Sequence, residues 1–286
     1  MIRRTEQFFA PAQNGIPKII GILNLTTDSF SDGGAYRRTE DAVAHAVRML
    51  ETGAVAVDIG AESTRPGSSG QTSDAEIAVL LPVIRNLRDR DEHCVICVDT
   101  RKAVVADAVL DAGADVINDV SGLQFDPAMA DVIAKHSAGL VLMHMRGTPE
   151  TMQNAENLIY PDLTGEINAF FEKQIGLAVS AGVRRDRIAL DPGIGFAKFA
   201  QDNWKLVRDA ELFRIHGLPL YYGISRKSFL GTEKKPSERD FATAGVLAYL
   251  AMKKIDFVRV HETGAAADAM KAFQAACNGG TIQLNG

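Results

Sequence analysis

Cysteine is scarce in this sequence, and the only two cysteines close together lie where they do not suit metal binding or redox chemistry. Three cysteines in 286 residues are too few for the disulfide framework of a small secreted domain. Cys94 and Cys97 form a C-x-x-C, but both lie in CVICVDT (94–100), an apolar stretch typical of a β-strand. Positions i and i+3 of a strand point to opposite faces. We therefore expect two structural cysteines rather than a metal or redox pair.

Long apolar runs and an excess of positive charge are also missing. No stretch approaches the roughly 20 apolar residues of a membrane-spanning helix, and residues 1–15 (MIRRTEQFFAPAQNG) lack the apolar core of a signal peptide. The net charge of −5 is not typical of a nucleic-acid-binding surface. We therefore expect a cytoplasmic protein that acts on small molecules, with neither a membrane nor a nucleic acid as partner.

What the sequence does contain is an eightfold alternation of apolar, β-branched stretches with helical patterns. The apolar stretches are IIGILNL (19–25), VAVDIG (55–60), CVICVDT (94–100), DVINDV (115–120), GLVLMHM (139–145), RIALDPG (187–193), PLYYGIS (219–225) and FVRVHE (257–262). They are almost continuously apolar, as in parallel strands covered on both sides. Eight strand–helix units predict an α/β fold of the (β/α)8 TIM-barrel type. A doubly wound open sheet is the alternative, although no G-x-G-x-x-G follows the first strand.

The chain shows no Ser/Pro-rich linker that would divide it into two domains. We predict one barrel over residues 18–279, a flexible N-terminal arm at 1–17 and a C-terminal tail at 280–286.

A polar residue stands at or near the C-terminal end of every predicted strand. These residues are Asn24, Asp58, Asp99, Asn118, His144, Asp191, Ser225 and His261. In a TIM barrel these ends converge on the catalytic mouth, whereas the opposite end is structural. A single buried polar residue is often satisfied by a local hydrogen bond, but eight at one end predict a functional site.

Several of these residues suit a planar heterocycle. Asp99, Asn118 and Asp191 offer carboxylates and an amide, and a carboxylate can accept two parallel N–H bonds from a guanidine-like edge. Arg226 and Lys227, in ISRKSF after the seventh strand, can donate to acceptors on the ring. The alternative for Lys227 is an ordinary solvated lysine in a loop.

The other rim of the predicted mouth suits phosphate. Asn24, Arg259 and His261 make it neutral to cationic and rich in hydrogen-bond donors. Two Gly/Ser-rich stretches, 26–34 and 62–70, follow the first and second strands, and such loops often close over a substrate. A heterocycle that bears a phosphate group is therefore the ligand that the pattern predicts, with flexible βα loops 1 and 2 above it.

Two apolar residues adjoin the polar strand ends. Met143 precedes His144, and Phe196 follows Asp191 in LDPGIGF. Such residues are most often part of a packed core, but they also line binding pockets. Both interpretations remain open from the residues alone.

Seven segments together resemble the dihydropteroate synthases, pterin-binding TIM barrels of folate biosynthesis. The segments are GILNLTTDSFSDGG, DIGAESTRPGSS, VDTRKAVVADAVLDAGADVINDVSG, LMHMRGTPETMQ, LDPGIGF, GISRKSFLG and FVRVHE, in the order of the family. The resemblance implies condensation of 6-hydroxymethyl-7,8-dihydropterin diphosphate with 4-aminobenzoate, which gives 7,8-dihydropteroate and diphosphate. It also implies Mg²⁺ as cofactor, a homodimer and a target of sulfonamides. The family more usually has Pro where this chain has Thr27.

The resemblance further implies roles for individual residues. The pterin would be held by Asp99, Asn118, Met143, Asp191, Phe196, Arg226 and Lys227. The diphosphate would be bound by Asn24, Thr64, Arg65, Arg259 and His261, with Asn24 also on Mg²⁺. The 4-aminobenzoate would lie against Thr64, Arg65, Pro66 and Ser228. The catalytic group would comprise Asp99, Asp191, Lys227, Arg259 and His261. A pterin-barrel methyltransferase and a non-catalytic pterin-binding barrel are the alternatives.

Overall fold

Strands and helices alternate along the chain as the sequence predicts. The computed structural model describes residues 2–11, 15–25, 39–63 and 70–277. The strands are β1 (Lys18–Asn24), β2 (Ala56–Gly60), β3 (Val95–Asp99), β4 (Val116–Asp119), β5 (Gly139–Met143), β6 (Ile188–Asp191), β7 (Tyr221–Tyr222) and β8 (Phe257–Val260). The helices are α1 (Ile2–Phe9), α2 (Thr39–Glu51), α3 (Ser73–Arg90), α4 (Ala103–Asp111), α5 (Met129–Lys135), α6 (Ala155–Leu158), α7 (Leu163–Ser180), α8 (Ala200–Arg208), α9 (Asp240–Met252) and α10 (Thr263–Cys277). No helix in these ranges is long and apolar enough to cross a membrane.

The eight strands form one parallel sheet that closes on itself. Their order is β6-β5-β4-β3-β2-β1-β8-β7, and a parallel bridge between Leu190 and Leu220 joins β6 to the segment that leads into β7. Helices lie between successive strands, so the predicted (β/α)8 TIM barrel is confirmed. The carboxyl ends of all strands meet at one end of the barrel, here called the mouth.

Alternation of side chains divides the core into an outer and an inner part. On β2, Val57 and Ile59 pack outward beneath the helices, whereas Ala56 points into the barrel. Cys94 belongs to the outer core and Cys97 to the inner one, and neither forms a disulfide. The prediction that the two cysteines point to opposite faces is confirmed.

Helix α1 closes the bottom of the barrel, opposite the mouth. Phe8 and Phe9 are buried among the inner apolar side chains. The Phe8 ring stacks on Phe257 of β8, with ring centroids 4.6 Å apart. The prediction of a flexible arm is therefore wrong for residues 2–9. A helix of this length is marginal in isolation, so its order depends on docking, which local sequence does not reveal.

Lys18, the first residue of β1, caps the end of this helix. Its ammonium group lies 2.7–2.9 Å from three backbone oxygens, those of Gln7, Phe8 and Ala10. The last carbonyls of a helix have no partner within the helix. The lysine therefore satisfies them and joins α1 to the sheet.

Asp115, directly before β4, is a buried carboxylate near the bottom of the barrel. Its Oδ1 accepts a hydrogen bond from Arg4 Nε of α1 at 2.9 Å. Its Oδ2 accepts from Arg88 Nη2 of α3 at 2.8 Å and from the backbone N–H of Ile96 at 3.0 Å. One carboxylate thus connects two helices to the sheet.

Some predicted features lie outside the described residues. Segment 26–38 contains Thr27 and the predicted flexible loop after β1. Segment 64–69 contains most of the predicted loop after β2, with Thr64, Arg65 and Pro66. The predicted tail at 280–286 also lies beyond the described residues.

Candidate active site

The mouth brings together polar side chains from neighbouring strands. The register places Gly60 of β2 beside both Asn24 of β1 and Asp99 of β3, and Asp99 beside Asn118 of β4. Asp99 and Asn118 are buried, and Asn24 is half-buried. A Cβ at Gly60 would lie 3.4 Å from the Asp99 side chain and 3.9 Å from Asn24 Oδ1. The absence of a side chain at Gly60 leaves room for these polar groups.

Asp58, inside the barrel, connects two strand ends to Arg259 of β8. Its Oδ2 accepts a hydrogen bond from Asn118 Nδ2 at 2.8 Å and another from Arg259 Nε. Arg259 Nη2 also donates to Asp99 Oδ2 at 3.2 Å. Burial lowers the pKa of Arg259, but the two carboxylates raise it overall. The structure therefore holds a permanent cation beside the buried acceptors.

Asp99, Asn118 and Asp191 form the floor of the mouth. Burial raises the pKa of Asp99 to about 7, against the opposing effect of Arg259. Burial also raises the pKa of Asp191 to about 6, although the backbone N–H of Gly193 donates to its Oδ1 at 2.8 Å. Ionised carboxylates at these positions need further donors, which a guanidine-like edge could supply.

Lys227 and two apolar side chains line another side of the mouth. The register aligns Met143 of β5 with Asp191 of β6, and Met143 and Phe196 belong to one buried cluster. Lys227 Nζ lies 4.1 Å from the centroid of the Phe196 ring, a cation–π contact. Burial lowers the pKa of Lys227 to about 8. Met143 and Phe196 are thus packed in a buried cluster and also lie at the mouth.

Ser225 and His261 form one hydrogen-bonded unit after β7 and β8. Ser225 Oγ accepts the backbone N–H of His261 at 3.2 Å and lies 2.9 Å from Nδ1 of the imidazole. Since Oγ accepts from the backbone, its own hydrogen can be donated to Nδ1. With the imidazole proton on Nε2, this contact is a hydrogen bond from Oγ to Nδ1; in the other neutral tautomer, Nδ1–H donates to Oγ.

His144 does not join the other strand ends. Because alternation turns Met143 inward, His144 points outward. Its ring packs edge-on against Phe170 of α7 with centroids 4.9 Å apart, and its Nδ1 lies 3.1 Å from Lys198 Nζ. The prediction that all eight polar ends face one site is therefore wrong for His144. Lys198, a buried lysine in this contact, had no predicted role, although it follows LDPGIGF closely.

Arg226 is also directed away from the floor. Its guanidinium donates to Asp240 of α9 at 2.8 Å and to Glu262 at 2.8 Å. The structure therefore does not bring Arg226 to the other predicted pterin residues. Ser228, by contrast, is exposed to solvent beside Lys227, at the start of a 3-10 turn.

A buried ion network beside the mouth was missed in the sequence. Glu62 pairs with Arg101 at 2.8 Å and also with Lys102. Lys102 Nζ donates to the backbone oxygen of Gln71 at 2.9 Å. One network therefore holds the chain on both sides of segment 64–69. The signal was present as charged residues that directly follow two apolar strands, in DIGAES and VDTRK.

Asn24 is the candidate metal ligand at the mouth. Its amide oxygen is the kind of neutral oxygen ligand that Mg²⁺ accepts. Within the described ranges, three potential ligand side chains lie close together at Asp107, Asp111 and His136. That group is on the outside of the barrel, and Lys135 already donates to Asp107 at 2.7 Å. Among the described side chains at the mouth, Asn24 would thus contribute a neutral oxygen ligand to a bound Mg²⁺.

Known proteins are similar to this chain in both sequence and fold. The model of the family described as pterin binding enzyme matches residues 20–261. A dihydropteroate synthase of Synechocystis sp. is 42% identical over 260 residues, which cover 90% of this chain and 89% of that protein. A Yersinia pestis dihydropteroate synthase in complex with a sulfonamide drug has a TM-score of 0.87 at 37% identity, covering 92% of this chain and 95% of that one. A Xanthomonas albilineans dihydropteroate synthase with 4-aminobenzoic acid has a TM-score of 0.83 at 35% identity, covering 92% and 93%.

Proposed function

The chain belongs to the dihydropteroate synthase family of pterin-binding enzymes, and we propose that its mouth performs the reaction of that family with the residues assigned below. It is a transferase of folate synthesis. The reaction condenses 6-hydroxymethyl-7,8-dihydropterin diphosphate with 4-aminobenzoate and releases diphosphate. The main support for the assignment is the convergence of buried acceptors at the floor with the adjacent cation Arg259.

The pterin ring lies on the floor in this proposal. The N–H groups of its guanidine-like edge donate to Asp99 and Asp191, and these charge-assisted bonds stabilise carboxylates that burial otherwise disfavours. Lys227 donates to acceptors on the ring. Phe196 and Met143 pack against the heterocycle, which suits their place in one buried apolar cluster.

The diphosphate lies toward Arg259 and His261. An aromatic amine is a weak nucleophile, so departure of the leaving group leads the reaction. The bond between the pterin methylene carbon and the diphosphate oxygen breaks, the amine nitrogen bonds to that carbon, and the nitrogen loses a proton to solvent. Arg259 and the imidazole N–H stabilise charge on the departing oxygens, while Asp99 and Asp191 offset positive charge in the ring.

Asn24 would hold Mg²⁺ together with oxygens of the diphosphate. When bound, the ion supplies charge neutralisation at the leaving group. The remaining assignments follow from family likeness: 4-aminobenzoate against Thr64, Arg65, Pro66 and Ser228, with Thr64 and Arg65 also near the diphosphate. A homodimer has the same support, and a cytoplasmic location is proposed from the sequence alone. The Arg226 side chain, engaged by Asp240 and Glu262, is left out of the pterin site.

Release of diphosphate from the pterin substrate tests the proposal. We expect release to require both 4-aminobenzoate and Mg²⁺, and mass spectrometry to detect dihydropteroate in equal amount. A sulfonamide should compete with 4-aminobenzoate and not with the pterin substrate. Release at the same rate without 4-aminobenzoate, with no dihydropteroate formed, would overturn the proposed reaction.

A further inference from the structure

We infer that Asp58 is a positioning residue. It determines which end of the Asn118 amide faces the ligand, and it orients the Arg259 guanidinium. The inference rests on the proposed function, because it takes Asn118 and Arg259 as substrate-binding groups. Asp58 itself is 0% exposed and lies one inward-facing position below Gly60 on β2. It therefore acts on the substrate only through its two partners.

The hydrogen bond to Asp58 decides which end of the Asn118 amide faces the ligand. An ionised carboxylate only accepts hydrogen bonds, so the Asn118 atom 2.8 Å from Asp58 Oδ2 is the nitrogen. The amide oxygen then points the other way. This oxygen is buried, and no group in the described part of the chain donates to it. A buried acceptor without a donor is unfavourable, so Asn118 selects a ligand that presents an N–H group.

The same oxygen of Asp58 holds the inner edge of Arg259. The guanidinium has five N–H donors in a planar fork. Asp58 engages Nε and Asp99 engages Nη2, so the plane of the fork is set before an anion arrives. Arginine otherwise loses much rotamer freedom when it binds a ligand. Since Asn118 and Arg259 share Asp58 Oδ2, the proposed pterin end and diphosphate end are coupled through one atom.

Asp115 provides a matched control for the loss of a buried carboxylate. Like Asp58, it is 0% exposed and accepts hydrogen bonds from arginine. It lies near the bottom of the barrel, directly before β4, whereas Asp58 lies below the mouth. Asp58→Asn and Asp115→Asn remove the same charge from equally buried places, so both should lower Tm. Only Asp58→Asn should weaken substrate binding.

Calorimetry with a pterin analogue that lacks diphosphate, and the KM for pterin diphosphate, separate a positioning role from a general one. We expect Asp58→Asn to lower the affinity for the analogue and to raise the KM, each by about tenfold or more, since small displacements of binding groups have effects of this size. Asp115→Asn should leave the analogue affinity and the KM within about twofold of the wild-type values. In Asn118→Ala, adding Asp58→Asn should weaken analogue binding by less than about threefold. In the double variant Asn118→Ala/Arg259→Gln, which lacks both partners, adding Asp58→Asn should change the KM for pterin diphosphate as little. Fully additive losses, or equal effects of the two aspartate variants, would overturn the inference.

A measurement on the unmodified protein covers the case in which Asp58→Asn does not fold. With ¹⁵N labelling, the side-chain N–H₂ hydrogens of Asn118 should exchange slowly with solvent in the ligand-free protein, and Asn118→Ala identifies their signals. Rapid exchange would mean that Asp58 does not hold the amide. Failure of the proposed function is distinct: it would appear as wild-type binding in Asn118→Ala and Arg259→Gln, whatever Asp58→Asn does.

Discussion

At the scale of single residues, the buried carboxyl groups of Asp99 and Asp191 have two competing partners. Burial raises the pKa of both groups, to about 7 and about 6. Without ligand, each therefore retains a proton at higher pH than an ordinary aspartate. The N–H groups of a guanidine-like edge bind the ionised form. Protons and ligand thus compete for the same oxygens.

Affinity for a pterin analogue that does not itself titrate should increase as pH rises from about 5 to about 8. Above the pKa of about 7 for Asp99, both carboxyl groups are ionised. Below the pKa of either group, binding must release a proton, and affinity falls by up to about tenfold per pH unit for each. Calorimetry at several pH values measures this, and Asp191→Asn should flatten the lower part of the profile. A flat wild-type profile would contradict the competition.

The stability of the ligand-free protein should respond to pH in the opposite direction. The folded-state pKa values of Asp99 and Asp191 lie above the unfolded value of about 3.9, so protonation stabilises the fold. This contribution is complete below about pH 4 and is lost as pH rises through about 6 and 7. The Tm of the wild type should therefore fall relative to that of Asp99→Asn over this interval. Thermal unfolding curves that shift in parallel would exclude such a role for Asp99.

Residues could be placed from sequence where strand alternation alone sets their direction. Asn118 and Asp191 lie on regular strands, and their inward direction follows from the period of two. His144 follows Met143 and therefore points outward, although it also ends an apolar stretch. Arg226 has a positive φ of 61° and a partner in α9, Asp240. Neither the bend nor that distant partner is visible in the local pattern.

At the scale of elements, the turn after β6 fixes two parts of the candidate site. The Gly193 N–H donates to Asp191 Oδ1 at 2.8 Å, and the Phe196 N–H donates to the Gly193 oxygen at 3.1 Å. The Gly195 N–H donates to Asn203 Oδ1 of α8 at 2.7 Å. The turn therefore connects a floor carboxylate, the aromatic wall and the helix behind them.

Gly193→Ala should disrupt this turn. A Cβ there would lie 1.9 Å from the backbone oxygen of His144, and the φ of 74° disfavours any side chain. We expect a loss of more than about 1 kcal/mol of stability and weaker binding of a pterin analogue. The control is Gly176→Ala in α7, where nothing lies within 4 Å of the new Cβ; it should stabilise by about 0.5–1 kcal/mol. Urea unfolding tests both, and equal effects would contradict the steric argument.

Helix α1 should contribute strongly to stability through its aromatic face. Phe8→Ala removes a buried ring that stacks on Phe257, and we expect a loss of about 3–5 kcal/mol. Gln7→Ala, at an exposed position of the same helix, should change stability by less than about 0.5 kcal/mol. Denaturant unfolding of the two variants provides the comparison. A loss in Phe8→Ala no larger than that in Gln7→Ala would show that docking of α1 matters little.

The eight strands and the first helix differ in how far local sequence determines them. Each strand is a continuous apolar stretch with a polar end, and the same unit recurs eight times, so the repeat predicts the barrel. Helix α1 has a single pair of aromatic residues, Phe8 and Phe9, and its partner Phe257 lies on the last strand. Contacts between such distant parts of a chain leave no periodic signal.

At the scale of the whole molecule, the candidate chemistry and the closure of the barrel lie at opposite ends. Between them, the inner apolar side chains fill the barrel, among them Ile20, Ala56, Val95 and Cys97. Disturbance at the bottom should therefore change the free energy of unfolding without changing the geometry of the mouth.

A double variant tests the independence of the two ends. The effects of Phe8→Ala and Asp191→Asn on the free energy of unfolding should add to within about 0.5 kcal/mol. Phe8→Ala alone should leave kcat and KM unchanged at temperatures well below its Tm. A change in KM for the pterin substrate would show that the packing of α1 reaches the mouth.

The docking of α1 on β8 also determines the order of events while the chain is being made. Residues 2–9 are synthesised long before Phe257, the residue on which Phe8 stacks. Contacts between such distant segments form late in folding. Phe8 and Phe9 therefore stay exposed until β8 emerges, and a nascent chain that stops before β8 presents them as an aggregation-prone surface. Synthesis of β8, rather than that of α1, therefore permits the bottom of the barrel to close.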